Sequence, residues 1–209
     1  MKILFWTGWT FFRVVATIIF RVKIRGAENI PQDGGFILAS NHISYYDPPL
    51  VGCCTSREVY FFAKRELFRN RLFSSILLRV NARPVNRAGV DRSAIESAVE
   101  ILKSGNGLTV FPEGTRSKTN DFLPVKPGIG MIARQAEVSI VPAFIQGANQ
   151  LWNCFIGKTR LSVSYGAPIS SQWVKSQPDN KDGYLAIADE IMNRIKELKE
   201  ALPKPAFHV

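Results

Sequence analysis

Short apolar runs alternate along this chain with segments of helical period, and that alternation restricts the fold more than any other feature. Gly35–Ser40 (GFILAS), Glu58–Ala63 (EVYFFA), Leu108–Phe111, Ser139–Ile145 and Arg160–Tyr165 read as strands, and Ala82–Asn86 as a short extended run. Between them, 66–79 has helical period, with Leu67, Phe68, Leu72, Phe73, Ile76 and Leu77 on one side and arginines on the other. Residues 91–103 form the clearest helix, with Ile95, Ala98, Val99 and Leu102 at i, i+3, i+4 and i+7. Ser93 and Glu96 have capping-box spacing there, and Gly105 and Gly107 end it. A further helix begins near Ile129. The last spans roughly 183–200, with Leu185, Ile187, Ala188, Ile191, Met192, Ile195 and Leu198 inward and Pro203 as its stop. Strands alternating with helices predict an α/β domain over residues 22–209: a mixed, mostly parallel sheet covered by helices.

A chain of 209 residues with 46% apolar content is long enough for one domain with a substantial core, and general disorder is excluded. Charge is lopsided, with 27 Lys and Arg against 17 Asp and Glu, and such a surface favours anionic partners. Much of the excess is concentrated in Arg57–Arg92, where nine basic residues face three acidic ones. No nucleic-acid module accompanies this segment, so nucleic acid is not expected as a partner. Cys53, Cys54 and Cys154 are odd in number and lack metal-ligand spacing, which argues against a disulfide framework and for no metal site.

Residues 1–21 are a different case. ILFWTGWTFFRVVATIIF (3–20) is strongly apolar, but near the minimum length for a membrane span and interrupted by Arg13. Lys2, Thr10, Arg13, Thr17 and Arg21 fall near one line at helical spacing. The pattern predicts an amphipathic helix lying in a membrane interface, with Arg13 reaching the headgroups.

Chemistry concentrates in few residues. His42 and the penultimate His208 are the two histidines, so an imidazole base near neutral pH points to His42. Asp47 lies five positions on, before Pro48-Pro49, where a helix can start. Such a pair meets across a turn at the C-terminal edge of a sheet, where open α/β folds place their sites. The spacing alone fits equally a histidine closing a strand and an aspartate capping a helix. Phe111-Pro112-Glu113-Gly114-Thr115-Arg116-Ser117 packs a carboxylate, a glycine, hydroxyls and a guanidinium behind a strand, a set suited to phosphate oxygens or to a polar loop with an internal Glu–Arg pair. Glu113 either orients Arg116 or the loop, or bonds a substrate hydroxyl. Lys126, before the helix near Ile129, is placed as an anion clamp, although alone it reads as a solvated lysine. Arg83 and Arg87 flank a short extended run, from which one can reach a phosphate.

Taken together and in order, Asn41-His42-x-Ser44-x-x-Asp47 and Phe111–Ser117 resemble the glycerophospholipid acyltransferase family, and most of all its 1-acyl-glycerol-3-phosphate acyltransferases. The resemblance runs from about Val22 to Gly166. It includes Ala63-Lys64-Arg65-Glu66-Leu67, Arg83-Pro84-Val85-Asn86-Arg87, Lys126-Pro127-Gly128 and Val141-Pro142-Ala143-Phe144. Asn81 stands where a glycine is usual in that family, and Asn86 where an acidic residue is usual.

The resemblance implies transfer of a fatty acyl group from a thioester donor, acyl-CoA or acyl carrier protein, to the free hydroxyl of a lysophospholipid. His42 would be the general base and Asp47 its partner, while Arg87, Glu113, Gly114, Thr115, Arg116 and Lys126 would bind the acceptor. No metal or resident cofactor is implied. Expected partners are the lysophospholipid, an anionic membrane surface on the cytoplasmic side and the carrier protein where it is the donor. Glycerol 3-phosphate, another lysophospholipid or an aminoacyl lipid are the alternative acceptors, and a non-catalytic lipid-binding protein is the alternative of another class. The absence of a G-x-S-x-G elbow agrees with direct transfer.

Overall fold

The computed structural model of the chain describes residues 2–86, 91–119 and 121–202; Arg87, Pro203, His208 and the side chain of Lys2 lie outside the described residues. Seven strands are β1 Lys23–Arg25, β2 Phe36–Ser40, β3 Val59–Lys64, β4 Ala82–Val85, β5 Gly107–Val110, β6 Ser139–Gln146 and β7 Ser162–Tyr165. They form one sheet in the order β1-β7-β6-β2-β5-β3-β4. Among these strands β6 and β7 pair antiparallel and the other pairings are parallel. The mixed, mostly parallel sheet is the one the alternation predicts. The helices are α1 Lys2–Val14, α2 Asp47–Cys53, α3 Arg71–Arg79, α4 Arg92–Lys103, α5 Gly128–Ala136, α6 Leu151–Phe155, α7 Ser171–Ser176 and α8 Lys181–Glu200.

The central strand β2 shows why its sequence is apolar without alternation. Phe36 and Leu38 pack into a core with α2, Val141, Ala143 and Ile145, while Ile37 and Ala39 enter a second core beneath α4, α5 and α8. A parallel strand covered on both faces buries every side chain. Truncating Ile37 or Leu38 to alanine costs about 2–5 kcal/mol. On the second face, α5 and α8 approach so closely at Gly130 that a Cβ there would collide with the carbonyl oxygen of Tyr184.

Several local readings change. The helix expected over 66–79 is broken: Arg65–Phe68 forms a 3-10 turn, and α3 starts later, with the Asn70 side chain accepting from the Phe73 N–H at 3.0 Å. Residue Asp91, not Ser93, caps α4. Its Oδ1 accepts from the Ala94 N–H at 3.2 Å and from the Ser93 hydroxyl at 2.6 Å, and Asp91 has the extended backbone a cap requires. Glu96 pairs instead with Arg92. Strand β1 and helices α6 and α7 were not legible in the periodicity; each has six residues or fewer. Asn81, just past the end of α3, has φ +65°. Glycine is the usual residue at such a left-handed position, and asparagine is the side chain that best tolerates it.

The N-terminal helix α1 packs on α2 and α3 and continues through a π-helical turn, Val15–Ile19. Arg13 does not point outward. Its Nη1 donates to the Cys53 carbonyl at 3.0 Å, and its guanidinium lies over the Trp9 ring. A cation belongs at a helix C-terminus, here that of α2, and this accounts for a charge in the middle of the apolar run. The outward face is apolar: Phe11 is 63% and Ile18 70% exposed, with Phe12, Val14 and Ile19 also exposed. On α3, Leu72 is 75% exposed, and Phe73, Ile76 and Leu78 are exposed beside it. Among the described residues, no helix is long and apolar enough to cross a membrane.

Candidate active site

Because β2 lies between β5 and β6, the loops leaving β2 and β5 emerge side by side at the C-terminal edge of the sheet. The first carries His42 and Asp47, the second Phe111–Ser117. Motifs some seventy residues apart in sequence thus share one site. Asn41, the first residue past β2, fixes the loop's departure. Its side-chain amide donates to the Ile145 carbonyl at 3.0 Å, and its Oδ1 accepts from the Ile145 N–H at 2.8 Å. That two-way pairing extends the ladder to β6 by one side chain and holds His42 at a set height above the sheet.

His42 and Asp47 meet directly. Asp47 is fully buried, and its Oδ2 accepts from His42 Nδ1 at 2.8 Å and from the N–H groups of Ile43 and Ser44, each at 2.7 Å. Oδ2 accepts from both backbone N–H groups and faces the ring as an acceptor, so the ring nitrogen turned toward it is the Nδ1–H donor. The imidazole is thereby held in the tautomer that leaves Nε2 with its lone pair. Phe111 stacks on the ring at 4.0 Å between centroids, which fixes the ring plane.

Glu113 is buried and ties the two loops together. Its Oε1 accepts from the His42 N–H at 3.2 Å and its Oε2 from the Leu123 N–H at 2.9 Å. Ser117 N–H donates to the His42 carbonyl at 2.8 Å, a second link between the loops. Of the roles open to Glu113, loop ordering is the one its bonds express. Burial raises the Glu113 carboxyl above the usual range; the N–H bonds from Leu123 and His42 oppose this.

His42 lines a cleft of about 370 Å³ together with Gly114, Lys126, Gly128, Val85, Asn86 and Asp91. The N-terminus of α5 opens into it beside Lys126, an arrangement suited to an anion. Gly114 has φ +68°, and a Cβ on it would lie 2.9 Å from Lys126 Cδ, so the lysine lies directly against the glycine backbone. Arg116 stacks on Tyr45, its guanidinium 3.4 Å from the ring centroid, and so stays beside the His42–Asp47 turn. Thr115 is exposed. Arg83 goes elsewhere, over the Tyr60 ring in a separate cleft with Arg57 and Arg79. Asn41, Tyr45 and Phe111 are the contributors that sequence reasoning left without a role. The signal was their place within the two motifs, without a chemistry that periodicity or charge would flag.

The arrangement holds an oriented imidazole on a cleft that also contains a lysine, and comparison with known proteins points to one family. The acyltransferase family model matches residues 21–146. The chain is 31% identical over 191 residues to the 1-acyl-sn-glycerol-3-phosphate acyltransferase of Bacillus subtilis, covering 91% of this chain and 94% of that one. It is 33% identical over 176 residues to the enzyme of the same name from Streptococcus pneumoniae, covering 83% of this chain and 64% of that one. Among solved structures it is similar to the 1-acyl-sn-glycerophosphate acyltransferase PlsC of Thermotoga maritima. That match has TM-score 0.73 and 28% identity, and covers 96% of this chain and 81% of the other.

Proposed function

Because the chain belongs to the acyltransferase family, we propose that it acylates the free hydroxyl of 1-acyl-glycerol 3-phosphate to give phosphatidic acid, with a thioester as donor. The observation that carries this reading is the 2.8 Å contact between His42 and Asp47 at the mouth of the cleft that holds Lys126.

In the mechanism, the acceptor's phosphate lies against Lys126 and the first N–H groups of α5, with Arg87, next in sequence after Asn86, in the same role. This places the free hydroxyl near His42 Nε2, which takes its proton as the oxygen attacks the thioester carbonyl. Asp47 stabilises the imidazolium that forms. The tetrahedral intermediate then collapses, the C–S bond breaks, and the imidazolium returns the proton to the departing thiolate. A thioester is already activated, so no protein nucleophile is needed and no cofactor enters. Arg116 and Thr115 border the approach. An apolar cleft of about 270 Å³ between α1, α2 and α3, reached past Pro48 and Pro49, suits a hydrocarbon chain of the lipid.

The apolar outward faces of α1 and α3 support a monotopic attachment of residues 1–21 and α3 to the cytoplasmic leaflet, with the acyltransferase domain over 22–209 above it. Arginines of the 65–79 segment would lie over anionic headgroups, each near the surface contributing about 1 kcal/mol.

The test is mass spectrometry of products formed from labelled lysophosphatidate and an acyl thioester in vesicles, beside glycerol 3-phosphate and other lysophospholipids. Labelled phosphatidic acid is the expected product, lost in His42→Ala. Turnover retained in a folded His42→Ala enzyme removes His42 as the base, and preference for another acceptor removes the substrate.

A further inference from the structure

Acyl transfer joins two substrates at one base, and a second cleft reaches the His42 turn. It has a volume of about 700 Å³, and Asn41 and Ile43, the residues on either side of His42, line it. The loop between β5 and α5 separates the two clefts. It presents Pro112, Gly114 and Lys126 to the cleft that holds the imidazole and Phe122 to the other. The remaining walls of the second cleft come from the end of β6 and the turn beyond it, from Thr159, and from the last turns of α8.

We propose that this second cleft holds the phosphopantetheine arm of the acyl donor, with the arm's phosphate on Lys196 and Lys199. The inference rests on the thioester-transfer reading above and deepens it by naming the donor's site. Both candidate donors carry this arm, a chain of short alkyl links and two amides that ends in a phosphate.

The lining matches each part of that chain. Phe122, Phe144 and Leu202 give an apolar wall, with Phe122 and Phe144 in an edge contact at 6.1 Å between ring centroids. Gln146, Gln150 and Thr159 put amide and hydroxyl groups in the lining to face the arm's amides, with the Thr159 hydroxyl donating to Gln150 Oε1 at 3.2 Å. Lys196 and Lys199 stand three residues apart on α8, so their ammonium groups project from one face and can share a single anion. The Lys199 ammonium lies 4.9 Å from the Phe122 ring centroid, which holds it over the apolar wall. Glu200 is the one carboxylate in the lining. Each cleft is thus cationic, the first through Lys126 and the second through Lys196 and Lys199, as two phosphate-bearing substrates require. The division also fits the chemistry. His42 lines the first cleft, so the hydroxyl to be deprotonated enters there. The carbonyl it attacks then comes from the far side of the His42 turn, through the second.

Steady-state kinetics of the full chain with three donors test the assignment: acyl-CoA, the acyl carrier protein thioester, and an acyl-N-acetylcysteamine thioester that lacks the phosphate. Lysophosphatidate is the acceptor throughout. In the pair Lys196→Ala/Lys199→Ala, KM for both phosphate-bearing donors should rise about tenfold or more, and further in Lys196→Glu/Lys199→Glu. KM for lysophosphatidate should hold, and the wild-type preference for acyl-CoA over the truncated donor should collapse. An unchanged donor KM, or an equal rise with the truncated donor, overturns the proposal. A rise with the carrier protein alone also overturns it, since the lysines would then read the protein's surface. A wild-type enzyme that uses no thioester at all overturns the reading beneath it instead.

Discussion

Replacing Asp47 with asparagine perturbs the proposed site with little change of shape. The Oδ2 atom accepts three hydrogen bonds, from His42 Nδ1 at 2.8 Å and from the Ile43 and Ser44 N–H groups at 2.7 Å. An amide oxygen in the same position can keep the backbone pair, so the turn persists. What disappears is the negative charge that steadies the imidazolium. Two unit charges 2.8 Å apart attract by about 6 kcal/mol at an effective dielectric of about 20. A transition state with the proton half transferred feels about half of that. Between half and all of the attraction, kcat falls by about 10²–10⁴. The assay is transfer to lysophosphatidate at saturating donor and acceptor, beside thermal melting followed by circular dichroism. Acceptor KM and the melting temperature should stay near wild type. Because the two residues act as one unit, His42→Ala/Asp47→Asn should be no slower than His42→Ala alone. A folded Asp47→Asn enzyme within tenfold of wild-type kcat would refute the reasoning.

Glu113→Gln gives a pH signature. Burial raises the Glu113 carboxyl in the folded chain, so its ionisation costs folding stability as pH rises from the ordinary carboxylate range through the raised value. Wild type should exceed the glutamine variant in melting temperature most at low pH, where both states hold the proton, and the gap should narrow toward neutrality; a gap that widens contradicts the direction. Gly114→Ala forces an alanine into φ +68° and a Cβ against Lys126, so about 1–2 kcal/mol of stability and some acceptor affinity should be lost, read by denaturant titration and by KM. Asn81→Ala should destabilise by about 1 kcal/mol, while Asn81→Gly should not, since glycine accepts the left-handed conformation without strain; equal losses would place the cost in the side chain instead. Phe11→Ser/Ile18→Ser/Leu72→Ser should weaken co-sedimentation with anionic vesicles at least tenfold, each side chain being worth about 1.5–3 kcal/mol on full burial, with the melting temperature unchanged because all three face outward.

The fold was legible where one physical demand dominated a segment. In β2 and β6 that demand was burial on both faces, which leaves unbroken apolar runs; in α4 and α8 it was one buried face of a long helix. Legibility failed where partners outside the segment decide. Strand β1 is three half-polar residues made into a strand by its pairing with β7, and nothing local requires it. Arg13 looked like a headgroup ligand because its neighbours in sequence are apolar, whereas its partner is a carbonyl forty residues away at the end of α2. The 66–79 segment carried a true amphipathic signal, and α3 is amphipathic, but much of its apolar side, Leu72, Phe73 and Ile76, is left uncovered by the protein. A hydrophobic period says that a face avoids water; it does not say what covers the face.

The site divides along the same line. The five-residue spacing left the pairing of His42 with Asp47 open, and it was the resemblance of the two motifs, taken in order, that implied it. Their relation to Glu113 is set by strand order. With β5 beside β2, the two loops must leave the same edge together, and Glu113 is drawn under His42 as the clasp between them. Had β6 and β5 exchanged places around β2, the same residues would carry the same motifs, but the clasp and the Asn41–Ile145 pairing would each lie on the wrong side of the imidazole. Side-chain identity therefore names the chemistry, while the order of three strands decides whether an imidazole, its carboxylate partner and a lysine converge on one cleft.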